Sequence, residues 1–275
     1  MKKILRKIFV NDVSWLILSP FIWAAQRLIA SRKNYKSWPA EKKLKSRAEK
    51  VLNSNFVYSG PFMGMIYKTS LTTGASSYYA KLLGSYETEI HVFIEDVLKK
   101  SYDGIINIGC DDGYYAVGMA VKTGCPVTAY DINPGAIIKT KQLALANNTS
   151  HLLKYGNRFT AADIGREDAV KKNLYIVDCE GDEYNIFTET NAALLINSDI
   201  IVELHLSLHP QIEQHFRNLF ENTHSITVVN STPDFIKAAS YTHLQLSGLD
   251  FETRHFITEE RDVFMQWIYL DAKSW

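Results

Sequence analysis

From residue 85 onward, short apolar runs alternate with stretches of helical periodicity, and this beat restricts the folds open to the chain. Ile90, Phe93, Ile94, Val97 and Leu98 recur at helical spacing, and Asp103-Gly104 ends that helix before the apolar run Ile105 to Ile108. Gly113 to Lys122 reads as a helix and Pro126 to Tyr130 as a strand. Asn133-Pro134 supplies an N-cap and a first-turn proline for a helix reaching about Asn147. Leu152 to Tyr155, Asn173 to Val177 and Asp199 to Leu204 are further short strands. Pro210 opens a helix with Ile212, Phe216, Leu219 and Phe220 on one face. Strand and helix in this alternation predict an α/β fold built on a doubly wound, mostly parallel sheet, which binds ligands beyond the carboxyl ends of its strands. Ser225 to Val229 and Val263 to Leu270 add two strand-like runs, the second expected as an antiparallel edge strand.

With 275 residues, 46% of them hydrophobic, the chain buries a full core without disulfides. Cys110, Cys125 and Cys179 form no CxxC pair, which predicts reduced thiols in a cytosol. The net charge of zero hides an asymmetry: residues 1–50 carry 13 Lys or Arg against Asp12, Glu41 and Glu49, which leaves −10 for residues 51–275. We therefore divide the chain into a basic, apolar helical arm and linker, 1–50, and a main domain, 51–275. An acidic main domain excludes a broad nucleic-acid footprint.

In the arm, Ile4, Leu5, Ile8 and Phe9 share one side of a helix, with Lys2, Lys3, Arg6 and Lys7 mostly on the other. Pro20, Gln26 and Arg27 interrupt the next apolar window, leaving it short of the ~20 residues of a membrane span. Asp12 likewise interrupts a signal-peptide pattern. Residues 1–31 are expected as a peripheral membrane contact, placing the protein in the cytoplasm at the inner membrane face; a helix packed on the body or a partner fits the same pattern. Residues 32–50 read as a solvated linker or helix.

The first strand runs into Asn107-Ile-Gly109-Cys110-Asp111-Asp112-Gly113, a glycine-bearing turn entering a helix. Glycines there let a ligand approach the backbone. A GxGxxG dinucleotide fingerprint would need glycine at 109, 111 and 114, whereas Asp111 and Tyr114 stand at the last two. Two carboxylates beside a helix N-terminus repel a pyrophosphate but tolerate a ligand carrying an ammonium and a sulfonium, which describes S-adenosylmethionine. Asp131, at the end of the second strand, is placed to accept hydrogen bonds from ribose hydroxyls. The predicted cofactor-binding set is Glu87, Asn107, Gly109, Asp111, Gly113 and Asp131. Several of these and the neighbouring Asp112 have structural alternatives: Gly109 and Gly113 as turn glycines, Asp112 as a helix cap, Asp131 as a turn residue before Asn133-Pro134, and Glu87 as a first-turn acid.

On these residues the chain resembles the class I S-adenosylmethionine-dependent methyltransferases, and specifically their FkbM-like branch. The similar segments are IINIGCDDGYYAVGMA, YDINP, YIVDCEGDEYNIF and IIVELH, with the DxEGxE stretch at Asp178, Glu180, Gly181 and Glu183 the most specific. KLLGSYETEIH, residues 81 to 91, is similar to segments preceding the fold in relatives. The resemblance implies a seven-stranded Rossmann-like sheet with a reversed last strand, a bound S-adenosylmethionine, and O-methylation of a saccharide, lipid-linked or secondary-metabolite hydroxyl. Asn107 stands where the family has an acid, and Asp111 where it has its middle glycine.

Asp178, Glu180, Glu203 and His205 follow the fourth and fifth strands and are expected to converge on a small-molecule or glycan acceptor. A hydroxyl needs positioning and a group to take its proton, which a His or carboxylate provides. Glu180 and His205 are the expected bases, and no metal site is assigned. His205 and His209 are four apart but precede Pro210, which starts the helix after them, so they share no helical face; Cys110 and Cys179 read as buried fillers. An alternative function is a membrane-associated binding or scaffold protein that retained a degenerate cofactor fold. Pocket shape, which composition does not reveal, selects the acceptor.

Overall fold

A computed structural model describes residues 39–68, 77–261 and 264–273. The chain divides into two units, 1–50 and 51–275. The basic, apolar segment 1–31 lies outside the described residues, and 39–51 form a helix, α1. Among the described residues no helix is long and apolar enough to cross a membrane.

In the second unit, α2 (Tyr78–Leu83) and α3 (His91–Val97) precede β1 (Gly104–Ile108), α4 (Tyr114–Thr123), β2 (Val127–Tyr130), α5 (Pro134–Ala146), β3 (Leu153–Gly156) and β4 (Asn173–Val177). Two single-turn helices, α6 (Glu183–Ile186) and α7 (Glu189–Ala192), lead to β5 (Asp199–Leu204), α8 (Ile212–Phe220) and β6 (His224–Asn230). Then come α9 (Asp234–Ser240), α10 (Phe251–Thr258) and β7 (Gln266–Ala272). The caps are legible: the Asn133 side chain accepts from the Gly135 N–H, with Pro134 in the first turn, and Gly124 closes α4 in the left-handed conformation.

The seven strands lie in the order β3-β2-β1-β4-β5-β7-β6. β1 to β5 pair in parallel, whereas β7 runs antiparallel to both β5 and β6. The reversed strand is thus the last in sequence, as the resemblance implied. It sits one place in from the rim, between β5 and β6, and begins at Gln266, later than the apolar run at Val263 suggests. A central strand can take this place because two neighbours satisfy its backbone groups and its residues Trp267 to Leu270 are buried on both faces.

Register sorts the side chains. Tyr175 and Val177, Ile200, Val202 and Leu204, and Ile268 and Leu270 share one face, where Phe187, Phe216 and Phe220 complete an apolar core. On the opposite face, Asn107 pairs with Ile176, Ile176 with Ile201, and Glu203 with Trp267. That second face is apolar at its middle and polar at its carboxyl end, and the site stands there.

His224 is buried at the start of β6, its Nε2 2.9 Å from the Ser198 carbonyl and its ring edge-on to Phe220. Burial pushes its imidazole below the ordinary histidine range, as it does for His91. A depressed pKa means the unfolded chain takes up a proton that the folded one refuses, so this stability is present above about pH 6.5 and is lost as the pH falls. The fall in melting temperature from pH 7 to pH 5 should be shallower in His224→Gln than in the wild type. Parallel curves would show that His224 does not titrate against the fold.

Candidate active site at the carboxyl end of the sheet

β1 and β4 are neighbours, and the chain leaves them in opposite directions along the sheet. The carboxyl ends meet so closely at this switch point that a Cβ on Gly109, with φ +77°, would overlap the Asp178 carbonyl. Gly109 therefore answers to strand packing. Gly113, at φ +88°, sits against Thr140 of α5 in the same way. Two cavities open above this point, of about 340 and 600 Å³, and both are lined by Gly109, Asp111, Asp178 and Glu180.

The smaller cavity is bounded by Tyr130, Asp131, Ile132, Asn157, Arg158 and Phe159. The Asp131 carboxylate accepts from the Asp111 N–H at 3.0 Å and from the Asn133 N–H at 2.8 Å. An ionised carboxylate has about four acceptor sites, so two remain for ligand hydroxyls. The two carboxylates of the turn differ sharply. Asp112 is fully buried: it accepts from the Tyr67 hydroxyl, from Lys81 Nζ at 3.2 Å and from the Tyr114 N–H at 3.2 Å. Asp111 projects into solvent at φ +44°, with its Oδ2 3.3 Å from Lys81 Nζ. Burial alone would push the Lys81 ammonium down; Asp112 and Asp111 reverse this and hold it charged. One lysine thus serves both carboxylates of the turn, a partner that the charge argument from sequence did not include. The position where a helix N-terminus would receive a phosphate is nonetheless taken, by Asp112 itself.

The larger cavity is lined by Lys81, Tyr86, Asn107, Glu203, His205, Arg261 and Trp267, among others. Asp178, Glu180, Glu203 and His205 come together here. His205 Nε2 lies 3.7 Å from Asp178 Oδ1 and 3.3 Å from Glu180 Oε2, and its Nδ1 lies 3.0 Å from Oε1 of the fully buried Glu183. That last approach lacks good hydrogen-bond alignment, since Nδ1 has no hydrogen-bond partner and Glu183 Oε1 accepts from the Cys179 N–H at 2.9 Å. Burial pushes His205 down, but Glu183, Glu203 and Glu180 outweigh it and raise its pKa. Glu203 and Asp178 are both raised, first by burial and then by neighbouring charge: that of Asp178 on Glu203, and that of Glu87 on Asp178. Glu180, in contrast, is 88% exposed, so this expected base stands in water and not in a screened site; its backbone is left-handed at φ +57°.

The remaining predicted residues fall as follows. Asn107 is buried in β1, donating to the Ile176 carbonyl at 3.1 Å, while its Oδ1 has no partner. Glu87 is buried, and its carboxylate is taken by the Tyr115 hydroxyl and Arg261. Arg261 also holds Glu203. Burial pushes the Cys110 thiol up to about 12 and the Cys179 thiol higher still, so neither is a nucleophile at neutral pH. Lys81 and Arg261 escaped the sequence reading. Arg261 stands 58 positions from Glu203 and 174 from Glu87, and no local pattern joins them. Glu183 lay in view within the DxEGxE stretch, where its helical position alone did not reveal that it faces His205.

No protein-family profile and no curated protein matches the chain. Solved structures similar to it include the precorrin-8W decarboxylase of Methanobacterium thermoautotrophicum, at 16% identity and a TM-score of 0.44, covering 67% of this chain and 90% of that one. The O-methyltransferase TomG of Streptomyces achromogenes, solved with S-adenosylmethionine, has 12% identity and a TM-score of 0.41, covering 65% and 77%. The ribosomal protein L11 methylase of Lactobacillus delbrueckii subsp. bulgaricus has 14% identity and a TM-score of 0.42, covering 72% and 79%.

Because Lys81 and Asp112 are buried together, Lys81→Met leaves a carboxylate uncompensated and should cost about 3–5 kcal/mol in urea unfolding. The double variant Lys81→Met/Asp112→Asn should recover a large part of that. A single-variant cost below about 1 kcal/mol would mean that water reaches the pair.

Proposed function

We propose that this chain is an S-adenosylmethionine-dependent methyltransferase of the FkbM-like branch that methylates a hydroxyl of a saccharide, lipid-linked or secondary-metabolite acceptor. One observation carries this: two cavities meet over Gly109, one bounded by a ribose-type carboxylate and the other by His205, while the intervening helix N-terminus is filled by Asp112. A dinucleotide would need that N-terminus for its pyrophosphate. S-adenosylmethionine carries no phosphate and supplies an electrophilic methyl group. Asp131 has acceptor capacity to spare for its ribose hydroxyls, and Ile132 and Phe159 offer apolar surface to its base.

An acceptor in the larger cavity meets Asp178, Glu203 and His205, which orient its hydroxyl. In this reading His205 or Glu180 receives the proton, which the 3.3 Å approach of His205 Nε2 to Glu180 Oε2 beside the cavity supports. Glu183 holds the far side of the imidazole and favours its orientation. Arg261, itself in the cavity wall, holds Glu203 there and is in turn held by Glu87.

Titration calorimetry should show one S-adenosylmethionine per chain, and Asp131→Ala should weaken it by about 1–3 kcal/mol, the scale of charge-assisted hydrogen bonds. Unchanged affinity in a folded variant removes Asp131 from the cofactor site. A chain that binds neither S-adenosylmethionine nor its demethylated product is the scaffold protein instead.

We further propose peripheral membrane contact through residues 1–31, supported by the joint basic and apolar character of that segment. Deleting these residues should abolish co-sedimentation with anionic vesicles and leave S-adenosylmethionine affinity intact. If the intact chain ignores vesicles and the truncated one aggregates, the segment is packing surface.

A further inference from the structure

We propose that Asp178, Glu203 and His205 form a binding site for one divalent transition-metal ion of the Mn²⁺ or Zn²⁺ class. Their donor atoms lie within 4.8 Å of one another at the carboxyl ends of neighbouring strands, a spacing that one ion can bridge after modest side-chain adjustment. Three further observations point the same way. His205 is buried with Nδ1 3.0 Å from the Glu183 carboxylate and Nε2 facing Asp178 and Glu180, so a carboxylate stands behind the imidazole, where a metal-bound histidine has its second layer. Asp178 Oδ1, one of the atoms facing Nε2, is shut away from water and has no hydrogen-bond partner. Asn107, only 2% exposed and lining the same cavity, likewise has an Oδ1 without a partner.

Charge adds to this. Glu87, Asp178, Glu180, Glu183 and Glu203 gather around Arg261 and His205, and Arg261 is already shared between Glu87 and Glu203. Among the described residues Asp178 is thus left with no lysine or arginine among its ion-pair contacts, only His205 at 3.7 Å. The donor set selects the ion. Mg²⁺ favours an all-oxygen, largely hydrated octahedron, whereas an imidazole nitrogen beside two carboxylates suits Mn²⁺, Fe²⁺ or Zn²⁺. The site stands independently of the cofactor; only its role on an acceptor hydroxyl rests on the methyltransferase proposal. In that role His205 is a ligand, and the hydroxyl proton passes to the Glu180 carboxylate.

The test uses the full chain, stripped with chelator, without nucleoside, and Mn²⁺ as probe, because Zn²⁺ also binds thiols. Titration followed by electron paramagnetic resonance should give one Mn²⁺ per chain, with Mg²⁺ competing at least about tenfold more weakly. His205→Ala and Asp178→Asn should each lose at least about tenfold in Mn²⁺ affinity, and Glu183→Gln about tenfold. Asp271→Asn, in the separate acidic group around Lys100, should bind as the wild type does. If His205→Ala does not fold, Asp178→Asn decides, since a third of that side chain is already exposed. No Mn²⁺ binding at millimolar concentration, or equal binding in Asp178→Asn and the wild type, overturns the proposal. S-adenosylmethionine titration in chelator fails or succeeds separately.

Discussion

The close approach of β1 to β4 is the constraint from which the site follows. Gly109 and the Asp178 carbonyl are in contact because the two strands pair in parallel from Gly104 to Ile108 against Asn173 to Val177. Beyond that point one chain turns into α4 and the other into the loop before α6, so the strand ends part and a crevice opens. Both cavities share Gly109 and Asp178 for this reason. A side chain at 109 would push the strands apart at the place where the two halves of the site are registered to each other.

The second dependence is electrostatic. A sheet buried on both faces is a poor place for polar and charged groups, yet Asn107, Glu203 and His205 are buried at its carboxyl end. Several of the carboxylates at this end are answered across the fold: Lys81 serves Asp112, Arg261 serves Glu87 and Glu203, and Lys237 serves Glu260, whose own backbone lies beside Arg261. Residues from before β1 and after α10 thereby close over strands β4 and β5. The backbone carries part of the cost: Glu87, Asp111 and Glu180, three of the five non-glycine residues with positive φ among the described residues, stand around this rim. Strain of this kind persists where surrounding contacts over-determine it, as at binding sites.

At the amino end of the same sheet, Lys100 gathers Asp96, Asp199 and Asp271, and the Tyr269 and Tyr102 hydroxyls join through Lys100 and Asp199. There every carboxylate finds the lysine or a hydroxyl. The two ends of the sheet differ in this respect: one acidic group is closed on itself, while the other leaves Asp178 Oδ1 and Asn107 Oδ1 without partners.

The sequence by itself determined the local elements and their order. Apolar runs of strand length, the Asn133-Pro134 cap and the breaks at Asp103-Gly104 are short-range signals, and the sheet of β1 to β5 follows from them because right-handed crossovers leave few alternatives. The place of Asp131 after β2, and the gathering of Asp178, Glu203 and His205, were legible for the same reason, since neighbouring parallel strands end at one rim. Only the tertiary structure decided which carboxylates are free to act. Asp111 and Asp112 are adjacent in sequence, yet one is exposed and the other buried against Lys81 and Tyr67; Glu180 and Glu183 are three apart, yet one faces water and the other His205. The position of β7 inside the sheet, and the reach of Arg261 to Glu87 and Glu203, belong to the same class. Partners at such separations are chosen by packing in three dimensions, and no local periodicity carries that information.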